Sequence, residues 1–573
     1  MTPDKYEINH KIIEALKANS YEVLHRFDHD TESAVRVNTQ LLMRILDDSK
    51  ATEYGTKYGF TEIHDTDTYK KRVPLTDHSD YADYISRMMD GESNILTTYP
   101  IVYYAQTSGT SGKPKNIPVS DRGLEVFRNY FSSLYLSVMS DFYKTTRLKD
   151  IPDGLSFLTV SVAQHTLPTG TKYGCISAAC LKDEIIPLLP FLVTTPYEAL
   201  SSSESADMKY IHSLFGLRER SVHLLTGSYI PFMLDIICFI RDKWQLLVSD
   251  IRTGTISKEV SIPESLREKL SAKISPDPER ADELEREFSK GFDSTIMKRI
   301  WPNLSGIATI WAGNFSSYAR RLQCFSGRSI PYYTMSYAAS EGVYGAARHP
   351  YDQCYVLIPE SCFYEFIPVN DGKDDSTSTV LIDGVQEGRD YELVITNQSG
   401  LYRYRTGDII QVTGFYNESP MVAVKYRKNA LINAIAGEKF TENDLAMAVL
   451  NFERRTGIDA VDFCMYSDRS TTPGRYVIFI EPEEKADPSR MDEYTAIMDR
   501  ELIRANENYE HFVSNKNNRL IGVPKIVFLQ PQTFQLHREI RMYKMGISEN
   551  QIKTVRFLNT PELIEFFTGL EDK

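Results

Sequence analysis

The chain has no surplus of basic charge. Lys+Arg number 65 against 78 Asp+Glu, for a formal net charge of -13, which argues against a sequence-independent hold on nucleic acid. It also lacks the paired cysteines of a zinc site or a disulfide frame. Its seven cysteines are odd in number and contain no C-x-x-C, a usage that suits buried thiols in a reducing, cytoplasmic compartment. No stretch has the length and apolarity of a membrane span. The nearest, Ser221 to Ile240, contains His223, Gly227, Pro231 and Asp235 and ends at Arg241-Asp242-Lys243, so a buried core helix is expected there. The start, Met1-Thr2-Pro3-Asp4-Lys5-Tyr6, has neither the basic nor the apolar region of a secretion signal. Internal repeats and long low-complexity tracts are missing too. What remains is a soluble chain of 573 residues, too long for one core.

Helical periodicity dominates from Tyr6 to about Tyr58, and Ser120-Asp121 can cap a long helix reaching Met139. Leu155 to Val160, Val222 to Leu225 and Ile307 to Gly313 read as strands alternating with helices, the pattern of α/β layers around a largely parallel sheet. The charged segment Ser261 to Lys298 reads as helices with a solvated face, broken near Pro276-Asp277-Pro278. From about residue 354 to 425 the texture turns β-rich. Beyond it, a helix from Thr441, a strand Tyr476 to Ile480, a helix around Met491 to Ile503 and a strand Lys525 to Leu529 predict a small α+β domain. The fold class is therefore α/β. A large N-terminal domain of residues 1–426 contains the β-rich subdomain, and a smaller C-terminal domain covers 427–573. Between them Lys425 to Lys428 is either a hinge or a surface turn between strands.

Three stretches carry chemistry. The first is Thr107-Ser108-Gly109-Thr110-Ser111-Gly112-Lys113-Pro114-Lys115, which follows the strand-like Ile101 to Ala105. Its glycines let backbone N–H groups approach an anion, and its hydroxyls and ammonium groups add donors, so phosphate is the expected guest. The pattern is not G-x-x-x-x-G-K-[ST], and a polar hairpin without a ligand would use the same residue types. The second, Met335 to Gly342, puts Tyr337, Ser340 and Glu341 in one loop. An aromatic there can stack on a nucleobase, and a carboxylate beside phosphates can hold Mg²⁺. The third, Tyr402 to Asp408, ends in an acid at a turn, placed to accept from ribose hydroxyls.

In this order the three resemble the GH3 family of acyl-acid amido synthetases within the adenylate-forming superfamily. Thr107 to Lys115 is similar to that family's S-S-G-T-[ST]-x-G-x-x-K, Tyr337 to Glu341 to its Y-x-S-S-E, and Tyr404 to Asp408 to its Y-R-x-G-D. Gly414-Phe415-Tyr416-Asn417, then Gly437-Glu438-Lys439, and finally Asn550 to Arg556 continue the likeness, with Val555 where the family usually has proline. A bacterial-type member is expected, and the segments Thr159 to Lys172 and Thr226 to Ile240 do not match the plant enzymes closely enough to carry over a substrate.

The resemblance implies a mobile C-terminal domain and ATP with Mg²⁺ as cofactors. It implies that Thr107, Ser108, Gly109, Thr110, Ser111 and Lys115 cradle phosphates, with Tyr337, Ser340, Asp408 and Lys439 also binding ATP. Glu341 would serve the metal and Lys553 catalysis. The partners implied are a small carboxylic acid and an amino acid or other amine, joined as an amide through an acyl-adenylate. Transfer to coenzyme A or a hydroxyl, and an inactive nucleotide-binding regulator, are the alternatives. His165, Thr169, Tyr173, Phe232, Met233 and Leu234 are candidates for the acid pocket, and His165, His212, His223 and His349 for a general base. Neither the acid nor the oligomeric state is legible.

Overall fold

The computed structural model describes residues 3–107, 115–145, 153–202, 206–311, 315–334, 336–369, 378–428, 435–436, 438, 440–513, 519–545 and 552–572. Four of its strands form the expected parallel layer, in the order Leu155–Leu158, Val222–Tyr229, Gly306–Ile310 and Tyr332–Tyr333. The second of these runs directly into the helix Ile230–Thr253, whose Pro231 sits in the first turn, where a missing N–H breaks no bond. Ile230, Met233, Leu234 and Ile237 from this helix join Trp301 and Leu322 in one buried cluster. The most apolar stretch of the sequence, expected as one buried helix, is thus a buried strand running into an interior helix, and no described helix is long and apolar enough to cross a membrane.

A seven-stranded antiparallel sheet accounts for the β-rich region. Its order is Phe363–Pro368, Asp390–Thr396, Tyr404–Tyr416, Ser419–Arg427, Tyr355–Leu357, Gly342–Ala346 and Ser336–Ala339. The N-terminal helices Pro3–Thr31 and Ala34–Ser49 pack on it, and Phe27, Leu41, Leu42 and Ile45 share a core with Tyr364, Phe366 and Leu393. A smaller C-terminal lobe has its own core. There Ala460–Asp468, Arg475–Pro482 and Lys525–Phe528 form a sheet, and the helices Glu442–Thr456 and Met491–Ala505 cover it. As the sequence suggested, Thr441 and Asp444 close a capping box, each side chain accepting from the other's backbone N–H.

Several local expectations change. The helix after Ser120 is not continuous: Asp121–Phe127 gives way to a π-helical stretch, Arg128–Ser133, before Leu134–Lys144. Met335 to Gly342 is not one loop. Ser336–Ala339 is a strand, paired through a turn at Ser340 and Glu341 with Gly342–Ala346. Asp408 lies inside the strand Tyr404–Tyr416 rather than at a turn, and Lys425 to Arg427 end the strand Ser419–Arg427. The segment 261–298 keeps its charge outward but also buries Leu284, Phe288 and the side chain of Arg280, which donates to the carbonyls of Leu217 and Ile300.

Two polar features organise the packing. Arg403 and Glu365, exposed by 4% and 1%, form an ion pair inside the large lobe. Arg403 also donates at 2.8 Å to the carbonyls of Lys70 and Val73. Between the lobes, Arg320 pairs with Glu453, Arg321 reaches Glu483 and the Val461 carbonyl (2.9 Å), and Arg538 reaches Asp235 (2.9 Å). Breaking a buried pair by removing one partner strands a charge. Glu365→Gln is therefore expected to destabilise the large lobe by about 3–5 kcal/mol, seen as a lower denaturant midpoint; a midpoint unchanged from wild type would contradict this.

Candidate active site

The glycine-rich stretch joins two antiparallel strands, Ile101–Gln106 and Asn116–Ser120. Their ends are tied just below it: Thr107 N donates to the Lys115 carbonyl at 2.9 Å, and Lys115 N to Thr107 Oγ1 at 3.2 Å. Thr107 lines the main cavity, while Lys115 is exposed. Ser108, Gly109, Thr110 and Ser111 lie outside the described residues, as does Lys439.

That cavity, about 1530 Å³, runs between the large lobe and the C-terminal lobe. Tyr337, Ser340, Glu341, Asp408 and Lys553 all line it. Asp408 comes forward on a bulge. Pairing with the neighbouring strand shifts between Glu392 and Val394, which leaves Thr406, Gly407 and Asp408 opposite Leu393. Gly407 takes φ 76, a conformation a side chain would strain. The carboxylate is then gripped from both sides, accepting from Tyr337 Oη at 2.8 Å and from Arg427 Nε at 2.9 Å. Asp408 holds the Arg427 guanidinium firmly charged, against the opposing effect of burial. Burial, and next the Asp408 charge, push the Tyr337 phenol far above its ordinary range, so it stays a donor. Glu341 is placed by its carbonyl, which accepts from Asn397 Nδ2 at 2.8 Å, and by Oε1, which accepts from Tyr404 Oη at 3.2 Å.

The wall fits a polar guest. Ser336 and Thr309 are buried residues of this cavity whose hydroxyls have no hydrogen-bond partner among the described residues, a costly state unless a ligand meets them. Among the described residues no cluster of three or more His, Cys, Asp or Glu forms a ready metal cage. A single carboxylate such as Glu341 suits Mg²⁺ that keeps its waters and shares phosphates.

Lys553 stands on the opposite side, in an irregular segment of the C-terminal lobe, its Nζ 5.8 Å from the centroid of the Tyr229 ring. Neighbours hold that segment. Arg541 donates to the Lys553 carbonyl at 3.3 Å, and Arg556 is fully buried against Asp462 (2.5 Å), the Phe463 carbonyl (2.6 Å) and Tyr318 Oη of the large lobe (3.1 Å). Val555, standing where proline was expected, packs against the apolar cluster of Phe479, Leu558 and Phe567.

The acid-pocket candidates separate. His165 and Phe232 line the cavity, and Tyr173 packs beside His165 with ring centroids 5.2 Å apart. Met233 and Leu234 belong to the core instead, and Thr169 points its hydroxyl toward the Met89 carbonyl. Of the other histidines, His349 packs on Phe142 and His223 sits within 3.4 Å of Ser156 Oγ. His212 lines the cavity but is bonded to Thr195 Oγ1 at 2.8 Å. Tyr404, Tyr229 and Glu442 went unnoticed as site residues in the sequence, and Arg427 was read only as part of a candidate hinge. Strand register, which pairs Asp408 with Arg427, is what reveals it.

A solved 2-hydroxyisobutyryl-CoA ligase shares this fold with a TM-score of 0.51 at 11% identity, over 96% of this chain and 90% of that one. Models of the GH3 family N-terminal, central and C-terminal domains match residues 23–331, 355–427 and 443–562, and the chain belongs to the GH3 family. The solved GH3.15 acyl acid amido synthetase superposes with a TM-score of 0.83 at 28% identity, covering 96% of each chain, and a second structure of it contains 2,4-DB. Indole-3-acetic acid-amido synthetase GH3.8 of Oryza sativa subsp. indica is 31% identical over 96% of this chain and 93% of its own. Jasmonoyl--L-amino acid synthetase GH3.5 of Oryza sativa subsp. japonica is 28% identical over 94% of both. These relatives are plant proteins, so the expected bacterial type is not borne out.

Burial lowers the His212 pKa from 6.5 to about 3, so the folded chain keeps the ring neutral while the unfolded chain protonates it. Stability from this site is present above about pH 6.5 and falls as pH drops toward 3. His212→Gln is expected to remove about 2 kcal/mol of the stability difference between pH 7.5 and pH 5. Denaturant midpoints of both proteins at the two pH values test this; equal pH dependence would contradict it.

Proposed function

We propose that the chain is an ATP-dependent ligase that activates a carboxylic acid as its acyl-adenylate and transfers the acyl group to an amino acid or other amine, forming an amide. The observation that carries this is one cavity, in a chain matched along its length by one family, lined at once by Tyr337, Glu341, Asp408 and Lys553.

Thr107 to Lys115 holds the β- and γ-phosphates, with Ser108, Gly109, Thr110 and Ser111 supplying donors. Tyr337 and Ser340 form the wall for the base, Asp408 accepts from the ribose hydroxyls, and Lys439 assists from the C-terminal lobe. Glu341 would hold Mg²⁺, which would supply positive charge against the phosphates. Bringing a carboxylate to the α-phosphate forces two anions together. Lys553 supports that approach as a fixed ammonium between them, in a site shielded from water. Phe232 and His165 face the acid. Residues 1–426 and 427–573 are the two bodies of the catalytic cycle, with Lys425 to Lys428 as hinge between the half-reactions. A cytoplasmic location agrees with seven cysteines of which none is in a disulfide.

Pyrophosphate release with a panel of acids, followed by product mass with an amino-acid mixture or coenzyme A, tests the assignment. Amide product supports it, and thioester without amide would sink it. Lys553→Ala is expected to slow acid-dependent pyrophosphate exchange on the order of 10²-fold while ATP still binds; near wild-type exchange would remove Lys553 from the mechanism.

A further inference from the structure

Adenylation needs a cation that is fixed in place and still charged. A carboxylate oxygen bonds to the α-phosphorus, the bond from that phosphorus to the bridging oxygen breaks, and pyrophosphate leaves with the electron pair; no proton moves. Lys553 can oppose the charge only if its ammonium is in position when the two anions meet. Its four-carbon stem is flexible, so something has to hold it.

A carboxylate partner would hold the ammonium but also cancel its charge and occupy its donors. An aromatic face attracts a cation through the ring quadrupole and leaves its N–H groups free to donate. The large lobe offers such a face. Lys553 Nζ lies 5.8 Å from the centroid of the Tyr229 ring. Three residues on, the Arg556 guanidinium lies 5.6 Å from the Tyr318 ring and donates to Tyr318 Oη at 3.1 Å. Phe315 joins the two tyrosines, its ring centroid 5.5 Å from that of Tyr229 and 6.4 Å from that of Tyr318. Two cations of the C-terminal lobe thus rest on one run of three rings.

The backbone explains how that run is built. Tyr229 closes the strand Val222–Tyr229, where pairing with Gly306–Ile310 shifts between Thr226 and Tyr229. Phe315 precedes the helix Ser316–Ser326, and Tyr318 lies in its first turn. Tyr229 and Phe315 line the cavity, while Tyr318 is buried. Arg556 is anchored in its own lobe by Asp462 and the Phe463 carbonyl, and its contact with Tyr318 crosses between the lobes.

We propose that Tyr229 is a positioning residue for adenylation: its ring, backed by Phe315 and Tyr318, is the seat on which Lys553 is held while the acid attacks ATP. The seat belongs to one lobe and the lysine to the other. Turning the C-terminal lobe for acyl transfer parts them, so the ring serves the first half-reaction and not the second.

This role rests on the ligase reading above, and the full-length protein tests both. Tyr229→Leu is expected to slow acid-dependent ATP–pyrophosphate exchange about 10-fold, in kcat rather than in the KM for ATP. Tyr229→Phe, which keeps the ring, is expected to recover most of that rate. Both variants are expected to form amide from a supplied acyl-adenylate as fast as wild type. In a Lys553→Ala background, Tyr229→Leu is expected to add no further loss of exchange, because the group that the ring holds is already gone. Undiminished exchange in Tyr229→Leu, equal losses in the Leu and Phe variants, slower amide formation from supplied acyl-adenylate, or a further loss of about 10-fold in the Lys553→Ala background would each overturn the role of Tyr229. Wild-type protein that exchanges pyrophosphate with none of the acids would overturn the ligase reading, and this role with it.

Discussion

The ion pair of Arg403 with Glu365 is the point from which the large lobe takes its geometry. Arg403 sits at φ 48, unusual for a residue with a side chain, and its N–H donates to Thr396 Oγ1. Its guanidinium meets both Glu365 oxygens and two carbonyls at the C-terminal end of the helix Thr66–Arg72. N-terminal helices and central sheet are thereby joined at a single buried charge, whose bonds fix the place where the strand Tyr404–Tyr416 begins. Tyr404, the next residue, reaches Glu341; four residues further, the bulge delivers Asp408. Displacing the start of that strand would move both carboxylates together.

Much of this was legible in the residues and some was not, for identifiable reasons. Apolar, β-branched runs such as Ile307 to Ile310 and Tyr476 to Ile480 declared their strands, and Thr441 with Asp444 declared a helix start. Tyr337 to Glu341 and Tyr404 to Asp408 stood out as stretches that carry chemistry, and Tyr337, Glu341 and Asp408 line one cavity. Register was invisible, because nothing local says that Asp408 will lie opposite Arg427 or that Tyr337 will cap the same carboxylate. The strand Ala460–Asp468 was passed over because it carries Asp462, a charge that is buried only because Arg556 arrives from far along the chain. Arg280 misled in the same way. Propensity places such charges outside, and only tertiary partners bring them in.

The π-helical stretch Arg128–Ser133 shows how a local irregularity meets the site. Phe127, just before it, and Phe131, within it, both line the cavity, with ring centroids 5.1 Å apart. A regular α-helix would carry these two rings at a different angle to each other, so the wider turn helps shape the apolar wall.

The surface between the lobes is joined largely by arginines, and the charges cross it in both directions. Arg320 and Arg321 extend from the large lobe, and Arg538 returns from the other side. A seam of this kind comes apart differently from an apolar one. Parting the lobes would hand guanidinium and carboxylate groups back to water, whose hydration offsets most of the attraction lost. Such a joint can be closed with definite geometry and still be opened at every turnover, a fastener rather than a weld.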